Sequence, residues 1–415
     1  MKQLKMSKNN VLYLISRENL LEPGVLKSQV LDLLGEIKKQ SIGSEIIILN
    51  LPSIHRFLKY FKNYYQIRDY CKKLGIRLFI IPIVPVARSF MPIWAVPFYL
   101  IQVIPLILFF AFIYRINIIH ARSYLSALAG WFVRKIGVKV RFVFDMRAPY
   151  LLEGVVHGKW QKTEADYKFW EGLEKKMFES ADFVVAQATG MVGYVKKAAP
   201  ESAAVYIPNC VSDQLYKVTP RERKKGREEQ GIADRFVFVY SGSFGRLHPP
   251  DFIAKLYADL RKFVQDPYLL VVTYSDPQEI SKALFKLDVP QREFKILQNP
   301  SNLEKILSLG DAGIAAMGGE ISTTSLVLSV KVVEYLAAGL PVITSNEMKS
   351  VVEILKQNNC GVVVDPFDKG DIRVKMQKLV EENSLLKINS IRVARKYFST
   401  KVCARQYLNL YEKLA

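Results

Sequence analysis

Lys331 and Glu334 stand three residues apart in LSVKVVEYLAAGLPVIT, the run from Leu328 to Thr344. That spacing puts both side chains on one face of the helix expected over Val330 to Ala338, with Gly339 as its left-handed stop and Pro341 opening a buried strand. A lysine near a helix N-terminus can meet a phosphate, and a carboxylate one turn along can accept both hydroxyls of a ribose diol. The same spacing also suits a surface ion pair. Two glycine-bearing turns could offer backbone to an anion. Ser241 to Pro250 (SGSFGRLHPP) combines two glycines, two serines and Arg246, a composition suited to a diphosphate, and Ser16 to Ser28 (SRENLLEPGVLKS) brings Gly24 to the start of a helix. Ordinary turn chemistry accounts for either one taken alone.

Residues of these types act only if a frame holds them. Strand candidates are Val11–Ser16, Glu45–Asn50, Arg77–Ile83, Ile116–His120, Arg141–Asp145, Phe183–Ala186 and Val205–Ile207, then Phe236–Tyr240, Tyr268–Thr273, Glu293–Leu297, Ala312–Ala315, Pro341–Thr344 and Gly361–Val364. Helical patterns lie between most of them. The alternation predicts an α/β protein with parallel sheets covered on both faces, and 415 residues suffice for two such domains. Pro220 to Gly231 (PRERKKGREEQG), charged and free of apolar residues, reads as the linker between them or the first helix after it. In doubly wound domains ligands lie outside the carboxyl ends of the strands, where both glycine turns fall.

Composition excludes whole classes. Half of the residues are hydrophobic, and 59 Lys+Arg face 39 Asp+Glu, a formal charge of +20, with four Cys and four His. Such a chain is neither disordered nor built on disulfides. Cys71, Cys210, Cys360 and Cys403 lie too far apart in sequence for a close-paired zinc or redox motif and read as reduced thiols of a cytosolic protein. No metal site is expected among so few histidines. Residues 1–220 hold 30 basic and 16 acidic residues, whereas 221–415 hold 29 and 23. Within the first half, Ile46 to Phe144 has 14 basic residues and one acid, Asp69. Inside that field runs Pro92 to Tyr114, PIWAVPFYLIQVIPLILFFAFIY, uncharged and long enough to span a bilayer. Pro97, Pro105 and the strand–helix rhythm that follows favour a helix packed in, or lying on, the first domain over a true span. The apolar run Val11 to Ile15 is too short for a signal peptide. A basic field beside an apolar helix, without a nucleic-acid motif, points to an anionic membrane or a phosphorylated ligand, not to nucleic acid.

Six segments, in order, carry a resemblance: IIHAR (Ile118 to Arg122), VYIPNCV (Val205 to Val211), VYSGS (Val239 to Ser243), LSLGDAGI (Leu307 to Ile314), KVVEYLAAGLPVI (Lys331 to Ile343) and VARKYFSTKVCARQYLNLYEKL (Val393 to Leu414). Together they resemble glycosyltransferase family 4, retaining enzymes of GT-B fold. The resemblance implies two Rossmann-like doubly wound parallel-sheet domains facing a central cleft: residues 1–212 for the acceptor, 213–395 for the nucleotide sugar, and 396–415 crossing back to the first domain. It implies sugar transfer from a nucleotide-diphosphate donor without metal or other cofactor. Glu334 would bind the ribose; Lys331, the backbone of Val330, Gly242, Ser243 and Arg246 would hold the diphosphate, with Gly24 approaching from the first domain.

The chain departs from the family pattern at three places. Leu326 stands where many members have a second Glu, leaving the donor-sugar contact to Glu320, Thr323 or Thr324. Leu247, His248 and Pro249 occupy the place of a lysine that often follows Arg246. Arg122 replaces the second His of a His-Ala-His strand end, where it could meet an acidic sugar or a lipid phosphate. His120, Arg122, Asp145 and Arg147 are the implied catalytic or acceptor contacts; the alternative for Asp145 and Arg147 is that they pair with each other to cap a loop. Glu153 follows them, and His157, Trp160 and Trp170 either line an acceptor groove or pack. The function expected is transfer to a lipid-linked glycan or glycolipid by a cytoplasmic protein held at the inner face of the cell membrane through residues 46–144. A soluble acceptor, an epimerase, or a degenerate partner subunit are the alternatives.

Overall fold

The mainly apolar, β-branched runs of the sequence form the strands of two parallel sheets, whose central strands are buried on both faces as their near-continuous hydrophobicity requires. The computed structural model describes residues 9–24, 26–41, 44–87, 90–211, 213–300, 302–317 and 324–415. It falls into two units, Met1–Cys210 with Thr400–Ala415, and Val211–Ser399. The first unit holds β1 (Asn10–Ser16), β2 (Glu45–Leu51), β3 (Arg77–Ile80), β4 (Ile118–Arg122), β5 (Arg141–Met146), β6 (Phe183–Ala186) and β7 (Ala204–Tyr206), in the order β3-β2-β1-β4-β5-β6-β7. The second holds β8 (Phe236–Ser241), β9 (Pro267–Thr273), β10 (Phe294–Gln298), β11 (Ala312–Ile314), β12 (Val342–Ser345) and β13 (Gly361–Val364), in the order β10-β9-β8-β11-β12-β13. All pairings in both sheets are parallel. Each strand order reverses beside the first strand of its unit, β1 or β8, and so opens a crevice next to it.

The strands match the expected ones with shifted ends. β4 begins two residues later than expected and runs on to Arg122, because Arg122 pairs in register with Ile15 of β1 and Asp145 of β5. β3 stops at Ile80, and Ile83 forms a separate bridge with Ser53. The stretch from Pro220 is a helix, Pro220–Glu229, opened by a reciprocal Thr219–Glu222 capping box and a first-turn proline. Its Arg223 and Arg227 reach Asp311 at 2.7 and 3.0 Å.

The first-unit core includes Tyr13, Ile15, Leu34, Ile48 and Val143, completed by Cys403, Tyr407 and Tyr411 from the helix Thr400–Glu412. The second-unit core centres on Phe238, Tyr257, Leu269, Ile314, Ile343 and Met376. Ala394 and Phe398 are buried, and Ser399 bridges Val211, so the second unit ends at Ser399, later than the 395 expected. All four cysteines are free and buried.

The apolar run forms the helix Ala95–Ile113, with Pro105 inside it. Val96, Tyr99, Val103, Ile107 and Phe110 are buried, and the Tyr99 hydroxyl donates to the Leu125 carbonyl and accepts from the Ser16 hydroxyl, each at 2.8 Å. Its other face carries exposed Phe98, Ile101, Phe109 and Phe112, the last 84% exposed.

Candidate functional site

In the second unit the helix Val330–Ala337 carries the predicted pair, and Tyr335 fixes its place. The Tyr335 hydroxyl accepts from the Ser241 N–H at 2.6 Å and donates to the Ile314 carbonyl at 3.4 Å, tying the helix to β8 and β11. Gly313 makes this possible: a Cβ there would lie 2.3 Å from the Tyr335 ring. Gly339 (φ +74°) ends the helix, with the Leu340 N–H returning to the Tyr335 carbonyl at 2.8 Å. The first turn thus opens beside the carboxyl end of β8. Its N–H groups, Val330 and Lys331 among them, have no acceptor within the helix.

Lys331 is buried, 7% exposed, and makes no surface ion pair. Its ammonium lies 4.4 Å from the centroid of the Tyr240 ring, 3.4 Å from the Tyr240 hydroxyl and 3.5 Å from His248 Nε2. Gly242 (φ +143°) backs it, and a Cβ there would stand 2.9 Å from Lys331 Nζ. Burial pushes the Lys331 pKa down to about 7, with the Glu334 charge opposing. Burial raises Glu334 to about 7 in turn, with Lys331 opposing. Among the described residues no carboxylate lies within 4.0 Å of the ammonium. Ser243 and Arg246 are exposed on the same turn as Gly242. Thr324 is buried, whereas Glu320 and Thr323 lie outside the described residues.

In the first unit the candidates form one interior network. His120 and Tyr13 are register partners with rings 4.5 Å apart. His120 Nδ1 and the Tyr411 hydroxyl are hydrogen-bonded at 2.6 Å, and His120 Nε2 lies 3.5 Å from Asp145 Oδ2. Burial lowers the His120 pKa, with Asp145 opposing. Burial alone would raise Asp145, but Arg147, His120 and Arg122 hold it well below the usual carboxylate range. Arg147 meets Asp145 at 3.3 Å and also donates to Gln29 Oε1 (2.7 Å) and Asn209 Oδ1 (2.6 Å). Arg122 donates to Glu18 at 2.7 Å and to Gln29 at 3.0 Å.

Asp145 and Arg147 therefore do pair, within a wider network. His120, Arg122 and Asp145 are buried within the first unit: Tyr407 and Tyr411 pack against the His120 ring, and Glu18 and Gln29 hold Arg122. Glu18 and Arg147 are the network's more exposed members. Gly24 (φ +143°) is exposed, with open space where a Cβ would be. Trp160 and Trp170 are packing residues: Trp170 donates to the Met91 carbonyl at 2.6 Å, and Trp160 lies against Gly154. His157 is exposed, and burial raises Glu153 to about 7.

Sequence reasoning missed Tyr240, Gln29 and Tyr274. Tyr240 forms the floor under Lys331. Gln29 bridges two guanidinium groups from a π-helical turn, Lys27–Asp32. Tyr274, half-exposed just after β9, has its hydroxyl pKa raised by burial and by the Glu334 charge. Strand alternation marks Tyr240 as facing away from Val239; nothing local marks the other two.

Residues 222–396 match the family model described as glycosyl transferases group 1. No curated protein matches the chain. Sucrose-phosphate synthase from Thermosynechococcus elongatus has a similar structure, with TM-score 0.73 and 16% identity over 98% of this chain and 99% of that one. Anabaena HepE in complex with UDP and glucose gives TM-score 0.68 and 14% identity over 98% and 100%. WaaG, a glycosyltransferase involved in lipopolysaccharide biosynthesis, gives 0.56 and 15% over 96% and 99%. At such identities the likeness is one of fold, and that fold is GT-B.

Proposed function

We propose that this glycosyltransferase of GT-B type is a retaining, family 4 enzyme that moves a sugar from a nucleotide-diphosphate donor to a lipid-linked glycan or glycolipid at the cytoplasmic face of a membrane. One observation carries the donor half: the buried Lys331 ammonium, which has aromatic and imidazole neighbours and, among the described residues, no carboxylate counter-ion. Burying an unpaired charge is costly, and the cost is recovered when an anion arrives. A diphosphate fits a lysine, free helix N–H groups and a glycine turn brought together. Glu334, one turn along, takes the ribose hydroxyls. HepE in complex with UDP-glucose supports a nucleotide-sugar ligand for this fold.

Charge develops on the leaving diphosphate as the glycosidic bond to it breaks. Lys331, Arg246 and the Val330 N–H are the groups that stabilise it, and the proposal requires no metal. In the first unit, Asp145 and Gln29 hold Arg147 while Glu18 and Gln29 hold Arg122, leaving Arg147 and Glu18, the more exposed members, for the acceptor. The membrane half rests on the exposed apolar face of the helix Ala95–Ile113 and the surrounding basic field.

A thermal-shift screen of UDP, GDP, ADP and CMP sugars tests the donor half. One diphosphate sugar stabilises the wild type, and Glu334→Ala abolishes that stabilisation. No stabilisation by any of them would sink the reading.

A further inference from the structure

His248 closes the far side of the Lys331 ammonium. The turn after β8 folds back on itself, Gly245 N–H to the His248 carbonyl at 3.2 Å and His248 N–H to the Gly245 carbonyl at 3.0 Å, and so brings the imidazole against the lysine. Phe244, inside that turn, stacks on Tyr240 with ring centroids 5.2 Å apart and planes within 5°. Its N–H donates to Ser275 Oγ at 2.8 Å. The turn is thereby anchored to both β8 and the loop after β9.

An ammonium has only donors, so the ring nitrogen facing it must present a lone pair. In a neutral imidazole the proton then sits on Nδ1. Nδ1 is buried and, among the described residues, reaches no acceptor within hydrogen-bond distance, while the Ala316 backbone just beyond β11 acts on the ring. Burial and the neighbouring Lys331 charge push the His248 pKa down to about 3, so the ring stays neutral beside the charged lysine. The other groups facing the ammonium are the Tyr240 ring and hydroxyl and, one turn along, Glu334.

Resting on the donor reading above, we infer that His248 is a positioning residue: a neutral imidazole that holds the Lys331 ammonium over Tyr240 and aims it at the diphosphate beside Gly242. It adds direction without adding charge, in the place where the resembled family often has a lysine. Lys331 keeps its reach to the ligand only while the imidazole limits its rotamers. Removing the ring frees the ammonium and admits water around it.

Calorimetric binding of UDP, GDP and ADP, and of UMP, GMP and AMP, to the full chain at pH 6 and pH 8 tests this. At pH 6 Lys331 is charged with or without the ring. His248→Ala weakens binding of the preferred diphosphate on the order of tenfold there, the scale of one charge-assisted hydrogen bond. Monophosphate binding changes far less. His248→Gln, whose amide oxygen can accept from the ammonium, recovers most of the loss. Because water enters in His248→Ala, the pH at which its diphosphate affinity falls moves upward from the wild-type value. Unchanged diphosphate affinity in His248→Ala overturns the inference while leaving the donor reading intact. An equal loss for monophosphate and diphosphate, with a lowered Tm, also overturns it, because that marks a structural role. Wild type that binds none of the three diphosphates overturns the donor reading, and this inference with it.

Discussion

Burial brings both Lys331 and Glu334 to about 7 from opposite sides, stripping a proton from the lysine and keeping one on the carboxyl. Diphosphate binding requires the ammonium, which is lost as pH rises through about 7; ribose binding prefers the carboxylate, which is lost as pH falls through about 7. Donor affinity should therefore be bell-shaped around neutrality, its two limbs belonging to the coupled pair. Lys331→Arg should remove the alkaline limb and Glu334→Gln the acid limb, in calorimetric titrations from pH 5 to pH 9. A bell unchanged in both variants would show that other groups set it. Gly242→Ala should act through the same lysine. Its Cβ would stand 2.9 Å from Lys331 Nζ at a φ of +143°, so nucleotide affinity should fall while the Tm drops by only a few degrees, on the order of 1 kcal/mol.

At the scale of elements, two helices of the first unit make separate predictions. In the helix Ala165–Ser180, Glu174 is buried and accepts from the Tyr124 and Tyr194 hydroxyls at 2.5 and 2.7 Å. Burial raises its pKa to about 7 from 4.5. The native state therefore binds a proton that the unfolded chain has already released, and stability declines as pH rises from about 4.5 to 7. Glu174→Gln, which keeps an acceptor for a tyrosine, should be close to neutral at pH 5 and stabilising by on the order of 2 kcal/mol at pH 8. Denaturant melts at the two pH values would show it; equal effects at both would refute a buried, protonated carboxyl. The helix Ala95–Ile113 is divided lengthwise. Its inward face is held by Val103, Ile107, Phe110 and the two bonds of Tyr99, so leaving the first unit to cross a bilayer would open that core. Tyr99→Phe should cost about 1–2 kcal/mol of stability. Ile101→Asp and Phe112→Asp, at positions 74% and 84% exposed, should leave the Tm unchanged and weaken flotation with vesicles. A normal Tm with undiminished flotation would remove this face from the membrane proposal.

For the whole molecule, the charge of +20 matters through its placement. Lys59, Lys62, Lys72 and Lys73 are all exposed on the helical segments after β2, each expected to add about 1 kcal/mol of attraction near an anionic surface. Binding to phosphatidylserine-containing vesicles should weaken when all four become Gln and should fall in high salt, where the Debye length shrinks to about 3 Å at 1 M. Salt-independent binding would argue for hydrophobic insertion alone. Much of this molecule was legible in one dimension. Periodicity placed thirteen strands because parallel strands buried on both faces must be continuously apolar, and the glycines at 242 and 339 fall where the backbone takes conformations that side chains disfavour. The pairing of Lys331 with Glu334 on one helix followed from spacing alone. Spacing could not say that Lys331 is buried, because its environment is made by Tyr240 and His248, 91 and 83 residues away in sequence. Nor could it show that His120 and Asp145 are enclosed, since Tyr411, 291 residues beyond His120, supplies the cover. Sequence determined the elements and their chemistry through local sterics and periodicity; only the tertiary structure decided which polar groups lose water, because desolvation depends on neighbours brought together from distant parts of the chain.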